Sequence, residues 1–339
     1  MKPKVVCCLR FPLHEEAFSM LKNVADTVTL PELPETENVL IKHISDADAV
    51  IVTGRIRVTE YVIRNCPKLR IIARWGMGYD NIDVAAATSR GIWVTTTLVV
   101  EEAEAVADHV FALILCSARK ICEGNNYIKS KKWVRHDIEA YRRLIGVGVW
   151  GKTIGIIGLG RIGSLVAERA KGFKMTILYH DIIRKNELEE RLGLKYVPLE
   201  ELLKESDFVI VTVPLTDQTR NLIGKREFSL MKPSAILINT SRGAIVNHEE
   251  LIEALKDGRI AGAALDVFHK EPLPTNDPIL NLDNVILTPH MAGIVSESWK
   301  SMSLTVATQV MKALKGEEPP FAVNPEVKRN IKPSAIDLR

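Results

Sequence analysis

Long apolar runs are missing from this sequence. No stretch approaches the ~20 consecutive apolar residues that a membrane-spanning helix needs, which excludes such a helix as a reading. A charge bias is missing as well. The formal net charge is +3 over 339 residues, too small for the basic face that nucleic acid or an anionic membrane surface requires. Cysteine is scarce and unpatterned. Cys7, Cys8, Cys66, Cys116 and Cys122 are odd in number and contain no CxxC pair. That argues against a disulfide scaffold and against a zinc site or other metal centre, and leaves reduced core thiols in a cytoplasmic protein as the expectation. There is no internal repeat and no low-complexity tract. The opening "MKPKVVCCLRFPLHEEAF" is basic and then apolar, but Arg10, His14, Glu15 and Glu16 cut the apolar run short. It reads as a first strand and helix rather than a secretory signal.

What is present is strand–helix alternation. Short β-branched runs at Val5 to Leu9, Val28 to Leu30, Ala49 to Thr53, Leu69 to Ala73 and Ile92 to Val94 are separated by helix-like stretches. One of these is capped near Thr59, and another at Asp83 with Gly91 as its stop. Such alternation predicts a parallel sheet covered on both faces. "VEEAEAVADHVFALILCSARKICEGNNYIKS" has helical spacing and no proline, and predicts one long helix with an alanine-rich face. "RRLIGVGVWGK" reads as a loop. Alternation resumes at Thr153 and lasts to about His290, after which an amphipathic helix, capped by Ser296 or Ser298, runs to Gly316. The Pro-rich tail "PPFAVNPEVKRNIKPSAIDLR" is expected to lie over the surface.

The most informative segment is "KTIGIIGLGRIGSLVAERAKGFKMTILYHD". A predicted strand, Thr153 to Ile157, leads into Gly158, Gly160 and Gly163 at GxGxxG spacing. A helix opening with Arg161 and Ile162 and a second strand ending at Asp181 follow. Gly158 permits a tight turn, Gly160 lets backbone approach a pyrophosphate, and Gly163 lets helix pack on strand. The helix N-terminus offers N–H groups to the anion. Asp181 stands where a carboxylate accepts from ribose hydroxyls and repels a 2′-phosphate, which favours NAD over NADP, although Arg184 and Lys185 follow closely. A further strand, "DFVIVTVPLT", ends at Pro214 beside the adenosine half.

Ligands of open parallel sheets sit beyond the carboxyl ends of the strands. "SAILINTSRGAIVN" carries Thr240 and Arg242 past one such end, "GAALDVF" carries Asp266 past another, and "VILTPH" carries His290 past a third. A guanidinium at a buried strand's mouth is by itself most simply a solvated surface group. Three polar side chains at three strand ends of one sheet suggest a site.

Together "RWGMGYDNID", "GIIGLGRIG", "INTSRGAIV", "GAALDVFHKEP" and "LTPHMAG" resemble, in order and spacing, the D-isomer specific 2-hydroxyacid dehydrogenases. This family includes glyoxylate and hydroxypyruvate reductases, phosphoglycerate dehydrogenases and D-lactate dehydrogenases. The resemblance implies catalysis by Arg242, Glu271 and His290. The arginine would hold the substrate carboxylate through two contacts and polarise the carbonyl. The histidine would donate a proton to the carbonyl oxygen. The glutamate would orient the ring and favour imidazolium. It also implies that Gly76, Met77 and Gly78 present backbone N–H groups to the substrate carboxylate. Asp266 would accept from the nicotinamide carboxamide, and Val106 would pack near its ring. His269 reads as an exposed loop residue and His109 as a packed or interface histidine. Two departures stand out. Thr97 and Leu98 replace the Asn and Pro of many relatives. Thr53 stands where phosphoglycerate dehydrogenases often have arginine, with Arg55 and Arg57 shifted. With no regulatory domain extending the C-terminus, this points away from a phosphorylated substrate.

The expected architecture is α/β, with two doubly wound parallel-sheet domains. Residues 1–100 and 296–339 would form a flavodoxin-like substrate domain, and residues 101–295 an NAD-binding Rossmann domain. The expected activity is NAD-dependent interconversion of a small 2-oxo acid and its D-2-hydroxy acid, of the glyoxylate or hydroxypyruvate type first, with phosphoglycerate kept as an alternative substrate. By resemblance, the long helix would be the surface of a homodimer. The same fold also serves the C-terminal binding proteins, NAD-sensing corepressors that keep the same three residues, and enzymes that oxidise formate or phosphite. Turnover of 2-oxo acids separates these readings.

Overall fold

A computed structural model describes residues 2–329. The chain divides into two compact units, residues 1–102 with 294–339, and residues 103–293. Of the C-terminal segment, residues 330–339 lie outside the described residues. Among the described residues no helix is long and apolar enough to cross a membrane.

The first unit holds β1 (Lys4–Cys8), β2 (Asp26–Thr29), β3 (Ala49–Val52), β4 (Ile71–Arg74) and β5 (Trp93–Thr95). They form one parallel sheet in the order β2-β1-β3-β4-β5, the flavodoxin-like winding. β1, β3, β4 and β5 are almost entirely buried because helices cover both faces. One apolar layer gathers Leu40, Ile44, Val62 and Ile72. The other gathers Leu21, Ile51 and Ile71 with Val306 and Val310 of the returning helix Ser296–Leu314.

The tail departs from the surface placement expected for it. Asn324 is fully buried. Its Oδ1 accepts from the Val94 N–H at 2.8 Å, and its Nδ2 donates to the Ile92 carbonyl at 2.9 Å. Thr95 also bridges Ala322 in antiparallel sense. β5 would otherwise be a bare sheet edge, and covering it satisfies its backbone groups.

The second unit holds β6 (Thr153–Ile157), β7 (Thr176–His180), β8 (Lys195–Tyr196), β9 (Phe208–Val211), β10 (Ile236–Asn239), β11 (Gly262–Leu265) and β12 (Val285–Leu287). The order β12-β11-β10-β9-β6-β7-β8 is all parallel and reverses direction between β6 and β9. That reversal is the topological switch point at which such sheets bind ligands. Ile154, Ile156, Phe208 and Ile238 pack one face, and Val209, Val211, Leu237 and Leu265 the other.

Two expectations are corrected here. The long helix is two, Val100–Arg119 and Ile121–Lys129, broken at Lys120 with φ +55°. The returning loop causes the break: the Val147 N–H takes the Ala118 carbonyl at 2.7 Å, and a Cβ at Gly146 would collide with that same turn. On the first helix Ala107, Val110, Ile114 and Ala118 lie in the core of their own unit. The cysteines are not all core thiols. Cys7, Cys8 and Cys66 are buried, and burial pushes the first two up to about 12 and the third to about 11. Cys116 is half-buried and Cys122 exposed.

Candidate active site

The glycine loop leaves β6 with Gly158 at φ +96°, a conformation suited to glycine. A Cβ there would press on Val213, and one at Gly163 would overlap the Gly158 carbonyl oxygen. Gly160 differs, since a Cβ there would meet nothing within 4 Å. It is the N-cap of the helix Arg161–Gly172, and no side chain caps that N-terminus. Asp181, just past β7, closes the loop from the other side: one carboxylate oxygen accepts from the Leu159 N–H at 2.7 Å and the other from the Ile183 N–H at 3.1 Å. Beyond β9, Pro214 is exposed and its carbonyl is held by Thr219 at 2.6 Å. Beyond β10, Thr240 Oγ1 is buried without a hydrogen-bond partner. An open approach at Gly160, an uncapped helix start and an orphaned hydroxyl fit a bound dinucleotide.

The proposed catalytic residues leave adjacent strands. β10, β11 and β12 are neighbours, with Asn239 registered on Leu265 and Leu265 on Leu287. Arg242 and His290 each lie three residues past their registered positions. His290 Nδ1 is 2.7 Å from Glu271 Oε2, and Glu271 Oε1 accepts from the Phe268 N–H at 3.1 Å. The carboxylate is thus fixed at one oxygen and grips the imidazole with the other. His290 is a non-glycine residue at φ +56°, a conformation that persists only where surroundings enforce it. Gly243 sits so tightly on Phe268 and His269 that any Cβ would overlap their backbone. The arginine loop therefore rests on the turn that holds Glu271.

Two residues that sequence reasoning did not single out, Asn239 and Thr288, help to build this geometry. Buried Asn239 donates from Nδ2 to the Arg242 carbonyl at 3.0 Å and accepts from the Ser241 N–H at 3.0 Å. Thr288 donates to Asp266 Oδ1 at 2.6 Å, and His109 Nε2 lies 3.1 Å from the Thr288 hydroxyl. Asp266 itself is 1% exposed. Its two oxygens also accept from the Met291 and Ala292 N–H groups, both at 2.9 Å. Its visible work is thus to shape the loop around His290. Their only sequence signal was position, since a strand-end Asn or Thr is a natural anchor for the loop that follows. His109, expected to be packed, is packed against these strand ends. Val106 is buried, at 6% exposure. His269 is exposed as expected, with its pKa lowered by partial burial and by His248.

In the first unit the turn after β4 narrows one expectation. Gly76, at φ +128°, donates its N–H to Thr97 Oγ1 at 2.8 Å and accepts from the Thr97 N–H at 3.1 Å. Its N–H is therefore committed, and the donors this turn can offer are those of Met77 and Gly78. Thr97, which replaces the asparagine of many relatives, latches the turn in place. The Asp83 carboxylate caps the next helix through the Ala86 N–H at 2.9 Å.

Gly160 and Gly163 separate binding from folding. Gly160→Val is expected to leave thermal stability nearly unchanged while weakening NADH binding by roughly tenfold or more, read by fluorescence titration. Gly163→Val is expected to lower stability by ~1–3 kcal/mol through overpacking, read by denaturant unfolding. Equal effects of both substitutions on stability would contradict this division.

Residues 111–292 match the family description "D-isomer specific 2-hydroxyacid dehydrogenase, NAD binding domain". The chain is 45% identical to a glyoxylate reductase of Pyrococcus furiosus, over 98% of both chains. Among solved structures it resembles the TT0316 protein of Thermus thermophilus, with a TM-score of 0.85 and 35% identity over 94% of this chain and 99% of that one. It also resembles an NADPH-dependent glyoxylate/hydroxypyruvate reductase of Sinorhizobium meliloti solved with NADP and malonate, with a TM-score of 0.83 and 30% identity over 96% and 98%. Adjacent strand ends bearing Arg242, Glu271 and His290 beside a dinucleotide loop agree with these likenesses: the chain belongs to the D-isomer specific 2-hydroxyacid dehydrogenase family and is an oxidoreductase acting on CH–OH donors with a nicotinamide cofactor.

Proposed function

We propose that the protein reduces glyoxylate, and hydroxypyruvate as a related substrate, with NADH as the preferred cofactor. The observation that carries this reading is the Glu271–His290 pair, 2.7 Å apart past the ends of β11 and β12, with β10, the strand that leads to Arg242, on the other side of β11. Glyoxylate is favoured by the relatives' activity, and the absence of an arginine at Thr53 disfavours a phosphorylated acid.

When bound, the nicotinamide supplies a hydride. Gly158, Gly160, Arg161, Ile162 and Gly163 would hold the dinucleotide's pyrophosphate, and Asp181 the ribose of its adenosine half, with Pro214, Thr240, Asp266 and Val106 completing the lining. Arg242 holds the substrate carboxylate with its guanidinium and polarises the carbonyl. Negative charge grows on the carbonyl oxygen, and His290 donates the Nε2 proton to it. Glu271 keeps Nδ1 occupied, so the ring cannot turn its other nitrogen away, and balances the charge of the doubly protonated ring. In the oxidative direction His290 accepts the proton.

The NAD preference rests on Asp181 and on the fate of the nearest cation. Arg184 donates to both oxygens of Glu189, at 2.9 and 2.8 Å. That bidentate pairing, with the Tyr179 hydroxyl, holds the Glu189 carboxyl down at about 2. A guanidinium so engaged is poorly placed to receive a 2′-phosphate.

A homodimer forms part of the same proposal. Trp133, Ile138, Tyr141, Ile145 and Trp150 are all more than half exposed within one short segment, and an apolar patch of that density calls for a partner surface. Ile145→Glu is expected to convert a dimer to a monomer in sedimentation velocity. A monomeric native chain would overturn the proposal.

The activity is tested by NADH oxidation with glyoxylate, hydroxypyruvate, pyruvate and phosphohydroxypyruvate, repeated with NADPH. Glyoxylate with NADH is expected to give the highest kcat/KM. Arg242→Ala is expected to lower kcat/KM by ~10²-fold or more with folding intact. Cofactor binding with no turnover of any 2-oxo acid would instead support a binding module.

A further inference from the structure

Away from the catalytic pair, the second unit carries another cluster of histidine and carboxylate. His248 opens the helix His248–Lys256, and its Nε2 lies 3.0 and 2.9 Å from the two oxygens of Asp277. The His269 ring lies against His248, with centroids 3.9 Å apart and planes inclined at 34°. One ligand atom from each of the three residues falls within 4.8 Å of the others. Nothing in the reaction uses these groups, and their positions in the sequence assign them no role.

We propose that His248, His269 and Asp277 bind a divalent transition-metal ion, zinc being the case that fits best, with water completing the shell. Two imidazoles and one carboxylate form a ligand set suited to zinc, and less so to magnesium or calcium. Zinc holds nitrogen and oxygen ligands at ~2.0–2.2 Å in tetrahedral geometry, so the ligand atoms must close up by an ångström or so. His269 can supply that movement. It is exposed, and among the described residues its ring makes no hydrogen bond. Asp277 provides the fixed end: it is 6% exposed, and its Oδ1 also accepts from the Ile279 N–H at 3.0 Å. Such a second contact on a ligating carboxylate is what orients it.

The ion would join three separate pieces of chain: the start of the helix His248–Lys256, the turn after Val267, and the loop leading to Pro278. The middle piece contains the Phe268 N–H that holds Glu271. Metal binding would therefore brace the wall behind the catalytic pair without entering the reaction, and the inference stands independently of which 2-oxo acid is reduced.

The test uses the untagged full chain after chelator treatment. Zinc is titrated in competition with a chromophoric chelator, and unfolding is followed with and without the metal. The native chain is expected to bind one ion and to gain a few degrees in Tm. His269→Ala and His248→Ala should each weaken binding roughly tenfold or more and abolish the gain. Because His269 is exposed, His269→Ala should keep its metal-free stability and reductase activity, so a misfolded His248 variant would not obscure the result. A native chain that binds no zinc, or a His269→Ala chain that binds it equally well, overturns the site.

Discussion

The buried carboxylate of Asp266 is the constraint from which the candidate site follows. A charge at 1% exposure is costly unless its oxygens are satisfied. Here they are met by the Thr288 hydroxyl and by the Met291 and Ala292 N–H groups. Those donors come from one loop, so satisfying the charge folds residues 288–292 over the end of β11. His290 lies inside that loop, and its left-handed backbone is a consequence of the wrapping. The ring is thereby delivered to Glu271.

The neighbouring loop obeys the same logic with neutral groups. Asn239 ties the Ser241 N–H to the Arg242 carbonyl, and the Ser241 hydroxyl donates to the Val213 carbonyl. Without a side chain, Gly243 lets this loop settle on Phe268 and His269. Arginine, glutamate and histidine are therefore coupled through backbone contacts between adjacent loops. Strand order makes this possible: β10, β11 and β12 are consecutive in both sequence and sheet, so residues far apart along the chain emerge side by side.

Much of this was legible in the sequence because local chemistry determines it. β6 was read with its observed ends, and Gly158 and Gly163 make the tight turn and the close packing that their spacing implied. The signal there is a backbone requirement, which any glycine motif between strand and helix carries. The helix break at Lys120 was illegible, because lysine is a good helix former and the break is imposed by Val147 from another part of the chain. The docking of Asn324 on β5 and the capture of the Gly76 N–H by Thr97 were hidden for the same reason. Asn239 and Thr288 were missed because their importance lies in partners, and a single sequence names partners only where a motif does.

Catalysis by this site stands or falls on His290 as the proton donor, held by Glu271 and by the loop that Asp266 organises. The direct measurement is His290→Ala, with NADH affinity and single-turnover reduction of glyoxylate followed in the same preparation. The expected result is an affinity within a few-fold of the native chain and a turnover rate lower by ~10²–10⁴-fold. Turnover that survives the substitution at the native rate would contradict it.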